Sequence, residues 1–231
     1  MFDALLLVSF GGPEGPDDVL PFLDNVLRGR PVSPERREEV AAHYLSFGGV
    51  SPINNQNRLL AAALRQAVTE RRSSLRVYWG NRNWHPFLAD TVRQMQADGV
   101  RRAAALVTSA YAGYSSCRQY REDLARARAA VGPAPPEIVK LRPFFNHPGF
   151  VEPLAAGLRA ARAEAGPAAP VLMSAHSIPC ALAATSEYER QLRETARLVA
   201  EGAGESPDRW TLVFQSNRSQ PSISGLFKVD T

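Results

Sequence analysis

Apolar positions along the chain fall into two alternating kinds of run. Short, nearly continuous apolar stretches read as buried strands over Ala4–Phe10, Leu75–Trp79, Ala103–Ser109, Glu137–Arg142, Val171–His176 and Trp210–Gln215. Between them lie amphipathic stretches at helical spacing, among them Asn57–Arg71, Pro86–Ala97, Ser116–Ala129, Val151–Ala163 and Tyr188–Ala200. In the last of these, Tyr188, Leu192, Thr195 and Val199 share one face. Strand–helix alternation predicts an α/β, doubly wound architecture, with parallel sheets covered by helices on both faces. Two halves that each open on a strand predict two similar domains, 1–113 and 114–216, meeting near Tyr111–Ser116, with an aperiodic tail over 217–231. The segment Val131–Glu137, "VGPAPPE", reads as a loop without itself marking a boundary.

Ligands of open α/β sheets sit beyond the carboxyl ends of the strands, so the loops there are the places to look for chemistry. The first, Gly11–Gly12–Pro13–Glu14–Gly15–Pro16, has the look of a phosphate loop and fails as one. It lacks the glycine spacing of a dinucleotide loop and the Gly-Lys-Ser/Thr of a P-loop. Its two prolines remove backbone N–H donors, and Glu14 repels an anion. The only lysines of the chain, Lys140 and Lys228, lie far from it in sequence. The loop is expected to allow close backbone approach by something other than phosphate.

Composition narrows the class without naming a function. At 231 residues, 45% hydrophobic and 22% charged, this is an ordinary globular composition. The net charge of +4 comes from arginines scattered among acidic residues, which argues against nucleic-acid binding. Arginine does suit carboxylates on a small acidic ligand. Cys117 and Cys180 are far apart, without a C-x-x-C spacing, and are expected as thiols in a reducing compartment. The first apolar run is too short to span a bilayer and no basic region precedes it, so no transmembrane segment or secretory leader is expected, and the location is read as cytoplasmic.

His176 is the sharpest candidate, at the end of an apolar strand and three residues before Pro179. The competing reading is a buried histidine satisfied by a backbone carbonyl; the position at a strand's carboxyl end favours a ring at the cleft mouth. His43, His85 and His147 read as surface or capping residues, and no histidine pair has zinc spacing. Tyr111, Tyr114, Tyr120, Trp79 and Trp84 are either packing residues or a wall for a flat aromatic ligand. Ser51, before Pro52 in a second Gly-Gly turn, either donates to a carboxylate or caps the following helix.

The strings "LLLVSFGGPEGP", "HYLSFGGVSPIN", "YWGNRNWHPF", "TSAYAGYSSCRQY", "VKLRPFF" and "MSAHSIP", in this order, resemble the ferrochelatase family, and within it the actinobacterial coproporphyrin ferrochelatases. The resemblance covers about residues 3–216. It implies two Rossmann-like domains of the chelatase type, the second incomplete. It implies a lyase that inserts Fe2+ into coproporphyrin III or protoporphyrin IX in haem biosynthesis, with porphyrin and Fe2+ as substrates. By position, His176 matches the family's metal-site histidine, where a neutral imidazole can ligate iron or accept a pyrrole proton. Ser51 and Tyr120 fall on porphyrin-binding positions. Tyr44 and Arg28 lie on neighbouring porphyrin-contacting segments, with Arg28 able to pair with a propionate. Phe10 belongs to the loop that lies against the porphyrin face.

Three departures follow from the same comparison. Phe10 stands where some relatives carry a tyrosine that ligates product iron, and a phenyl ring offers no such ligand. His43 replaces an arginine that some relatives set against a propionate. After Ser216 the family continues through a strand bearing a metal-site glutamate and a closing helix, whereas this chain runs "NRSQPSISGLFKVDT", as expected of a C-terminally truncated or frameshifted version. A porphyrin- or haem-binding protein without turnover is the alternative. Two cysteines cannot supply the usual four thiolates, so no iron–sulfur cluster is expected in this chain. Transient contacts with membranes and with other haem-pathway enzymes are left open.

Overall fold

The computed structural model describes residues 1–29, 31–72, 74–113 and 118–215, and the tail over 217–231 lies outside the described residues. Every strand expected from the apolar runs is present: β1 (Ala4–Ser9), β2 (Arg76–Asn81), β3 (Arg102–Val107), β4 (Glu137–Lys140), β5 (Val171–His176) and β6 (Trp210–Gln215). The helices are α1 (Val19–Leu27), α2 (Pro34–Ser46), α3 (Ile53–Glu70), α4 (Leu88–Ala97), α5 (Gln119–Ala129), α6 (Pro148–Ala165), α7 (Cys180–Ala184) and α8 (Tyr188–Ala203). The fold is α/β with parallel pairing throughout both described sheets. Among the described residues, no helix is long and apolar enough to cross a membrane.

The chain divides into two compact units, one comprising 1–108 with 119–141 and the other 109–118 with the residues from 142 onward. The first unit therefore extends past the boundary expected at residue 113. Its sheet has the order β2-β1-β3-β4, so β4 completes an edge that β3 would otherwise leave open. The segment near 111 belongs with the second unit because its groups are satisfied there. Ala112 N–H donates to Gln191 Oε1 at 2.7 Å, and the Tyr111 ring meets Phe150 and Tyr188 edge-on at 6.2 and 6.1 Å.

In the first unit, β1 is central and buried on both faces, which is why its sequence reads as a continuous apolar run rather than an alternation. Leu6 and Val8 of β1 pack with Val92 and Met95 of α4 and with Tyr120 and Leu124 of α5. A separate cluster joins α1 and α2 through Val19, Phe22, Leu23 and Ala41. The strand order places β2 and β3 on opposite sides of β1, and at such a switch point the loops beyond the strand ends diverge and leave a crevice.

In the second unit, β5 pairs with β6 from Val171↔Trp210 to His176↔Gln215. The apolar face read for α8 is buried, with Leu192, Thr195, Ala196 and Val199 turned inward. α6 begins earlier than its apolar pattern: Pro148 occupies the first turn, and His147 Nδ1 accepts from Gly149 N–H at 3.1 Å, the capping role expected for this histidine. Near the end of α6, Arg162 clasps Glu205 with two bonds, Nε to Oε1 at 2.6 Å and Nη2 to Oε2 at 2.7 Å.

That clasp has a pH signature. The Arg162 hydrogen bonds hold the Glu205 carboxyl below its ordinary value. A carboxylate lowered in the folded state stabilises above its unfolded pKa and loses that contribution as pH falls through the folded value. The gap in urea midpoint between the wild type and Glu205→Gln is therefore expected to be clear at about pH 7 and to shrink progressively as the pH falls below the ordinary glutamate range. A gap that stays constant over this range would remove the clasp as its cause.

Candidate active site

The loop after β1 is shaped by what packs against it. Gly11 adopts φ +78°, and a Cβ there would lie 2.9 Å from Asn81 Cβ and 3.1 Å from Trp84 Cβ. A Cβ at Gly12 would lie 2.6 Å from Ser51 Cβ, well inside contact distance. The expected close approach is thus met by the protein's own loops. Three carbonyls of this stretch are engaged by neighbouring loops: Ser9 O accepts from Arg82 N–H and Phe10 O from Asn83 N–H, each at 3.0 Å, while Pro13 O accepts from Ser51 N–H at 2.8 Å.

Two buried asparagines lock this arrangement. Asn54 Nδ2 donates to Gly12 O at 3.0 Å, and Asn54 Oδ1 accepts from Asn81 Nδ2 at 3.2 Å. Asn81 Nδ2 also donates to His85 O at 2.8 Å, and Asn81 Oδ1 accepts from Trp79 Nε1 at 3.0 Å. Buried amides stabilise only when satisfied in this way, so the network fixes one loop conformation.

The first unit builds an aromatic surface from three separated segments. Phe22 of α1, 1% exposed, is met edge-on by Phe10 at 6.2 Å, Tyr44 at 5.7 Å and Trp84 at 6.3 Å. Those three rings are each partly exposed, and burial raises the Tyr44 phenol above its ordinary value. Phe10 and Tyr44 are thereby brought together. Tyr120 is buried in the core cluster, and its phenol is pushed up to about 12 by burial, so it is a neutral hydroxyl.

The Arg82 guanidinium carbon lies 5.9 Å from the Phe10 centroid and 5.7 Å from the Tyr120 centroid, and Arg82 Nε is 2.9 Å from Asp123 Oδ2. Neither Arg82 nor Asp123 stands out from the sequence, since their only signal is mutual proximity across two elements. α3 begins at Ile53 rather than Asn57, with Pro52 at its cap position, and Ser51 Oγ accepts a long bond from Ile53 N–H at 3.4 Å. Arg28 is exposed just after α1, with Nη2 donating to Asn25 Oδ1 at 2.6 Å. Tyr114 and Cys117 lie outside the described residues.

His176 belongs to the second unit and is exposed, not a buried core histidine. Its Nδ1 sits 2.7 Å from Ser177 O. A carbonyl can only accept, so in the neutral ring Nδ1 carries the proton and Nε2 holds the lone pair. Its backbone is held independently of the ring: His176 O accepts from Tyr188 O–H at 3.0 Å. The residue is an anchored imidazole with one nitrogen available as a ligand or base.

The family model described as ferrochelatase matches residues 2–222. The chain belongs to the ferrochelatase family. It is 53% identical over 225 residues to a ferrochelatase of Rhodopirellula baltica, covering 96% of this chain and 63% of that protein. It is 53% identical over 228 residues to the coproporphyrin III ferrochelatase of Mycobacterium avium, covering 97% of this chain and 66% of the relative. With the coproporphyrin III ferrochelatase of Streptomyces coelicolor, identity is 51% over 245 residues, covering 97% and 65% respectively. The chain thus spans just under two thirds of the length of these ferrochelatases.

Proposed function

We propose that this ferrochelatase-family chain acts in haem biosynthesis as a cytoplasmic lyase that inserts Fe2+ into coproporphyrin III. The observation that carries the reading is the exposed His176, whose Nδ1 is engaged by Ser177 O and whose Nε2 is left to act. The relatives named for coproporphyrin III, at about half identity over nearly the whole chain, support the choice of porphyrin.

In this reading the residues divide the work. The partly exposed rings of Phe10, Tyr44 and Trp84 offer apolar area to a flat macrocycle, at about 25 cal/mol per Å² removed from water. Ser51 and Arg28 supply polar contacts to the substrate's carboxylates, Arg28 as a fork suited to a propionate. Insertion exchanges two pyrrole N–H protons for one Fe2+ and releases two H+. His176 Nε2 accepts one of those protons or ligates the incoming ion. Phe10 contributes packing alone. The two cysteines of this chain do not make up a four-thiolate set, so the proposal includes no iron–sulfur cluster.

The test is a titration of the 231-residue chain with coproporphyrin III, followed by anaerobic addition of Fe2+. Saturable quenching of tryptophan fluorescence and iron-dependent loss of porphyrin emission are expected. Binding without insertion would favour a carrier role, and absence of binding would overturn the reading.

A further inference from the structure

We infer that Arg82 is a positioning residue for the porphyrin site, holding the rings of Phe10 and Tyr120 through a guanidinium that Asp123 fixes between them. The inference rests on the proposed function above, because it concerns how that site is kept in shape.

Four observations carry it. Arg82 is the first residue after β2, and its N–H donates to Ser9 O while Asn83 N–H donates to Phe10 O, so Arg82 and Phe10 are set by adjacent rungs of one ladder. The Arg82 side chain is only 11% exposed and that of Asp123 only 10%, with Nε and Oδ2 at 2.9 Å. Asp123 lies one turn after Tyr120 on α5, so the carboxylate and the phenol ring present themselves to the same guanidinium. That guanidinium then lies within about 6 Å of two ring centroids, the range of cation–π attraction.

Phe10 also meets Phe22 edge-on at 6.2 Å, so its ring has both an aromatic and a cationic neighbour. Arginine alone among the cationic side chains can lay a flat charged plane beside a ring while pairing with a carboxylate, here Asp123, whose other oxygen pairs with Arg126. A buried ion pair brings little net stability over apolar residues of similar volume, so its presence points to geometry instead.

The experiment compares coproporphyrin III affinity in four forms of the full chain: wild type, Arg82→Leu with Asp123→Leu, Phe10→Leu, and all three changes together. Removing both partners avoids stranding a buried charge, and Arg82→Lys serves as a second variant that keeps the charge without the plane. We expect the paired change to weaken binding about five- to tenfold with Phe10 present, and less than about twofold with Leu at position 10. Arg82→Lys should show the loss of the paired change.

Equal weakening in both backgrounds would mean that Arg82 does not act through Phe10, and the inference fails. Full affinity in Arg82→Lys would likewise overturn it, since charge without a plane would then suffice. Wild type that binds no porphyrin would overturn the proposed function and this inference together, whereas binding with additive effects would overturn this one alone.

Discussion

His176→Ala is expected to lower iron insertion into coproporphyrin III by about 100-fold or more, while porphyrin affinity changes by less than about threefold. The asymmetry follows from how the residue is held. Its backbone carbonyl is fixed by Tyr188 O–H, and its strand is in register with β6 as far as Gln215, so the substitution removes a ring without disturbing a strand. The ring is exposed and leaves no core cavity behind. In the proposed site, affinity rests on the apolar area of Phe10, Tyr44 and Trp84, which the change does not touch. Single-turnover insertion and equilibrium quenching, measured on the same preparation, separate the two. A parallel loss of both would make His176 a structural residue.

Phe22→Ala is expected to destabilise the first unit by about 3–5 kcal/mol, a large part of a domain's total of roughly 5–15 kcal/mol. Phe22 is 1% exposed and touches the rings of Phe10, Tyr44 and Trp84 edge-on, so its removal leaves a cavity lined by three aromatic faces. The rings would lose their common support as well as their packing, so porphyrin affinity should fall along with stability. Calorimetry of the variant should show a transition lowered by roughly 10 °C. A shift under about 2 °C would mean that neighbouring side chains collapse into the space.

Where apolar residues do the burying, the sequence reads cleanly. β1 and β5 stand within a residue of their apolar runs, and the inward face of α8 is the one its spacing predicts. Elements that bury few or polar side chains escape the same reading. In α2 only Ala41 is buried, and α1 is nine residues long, so neither gives an extended apolar period. α3 starts four residues early because its first turns bury Asn54 and Asn57, polar residues that a hydrophobic pattern scores as surface.

The candidate site divides in the same way. Local strings mark Phe10, Ser51 and His176, because each ends a strand or sits in a glycine turn. The Asn54–Asn81 and Arg82–Asp123 pairs carry no local mark. Each joins residues from different elements, and only the parallel sheet brings them together.

The interrupted path of the first unit bears on the order in which the chain can fold as it is made. β4 and α5 lie after the 109–118 excursion, so a nascent chain that has emerged only to residue 113 lacks the strand that covers β3 and the helix that brings Tyr120 and Leu124 to the core. At roughly 5–20 residues per second, the ribosome needs one to several more seconds to deliver them. During that interval β3 carries an open edge and the apolar face of β1 is half covered, the kind of surface that chaperones hold. Completion of the N-terminal sheet therefore waits on a segment that belongs to its neighbour, and synonymous codon changes that slow translation between residues 113 and 141 should lengthen the vulnerable stage.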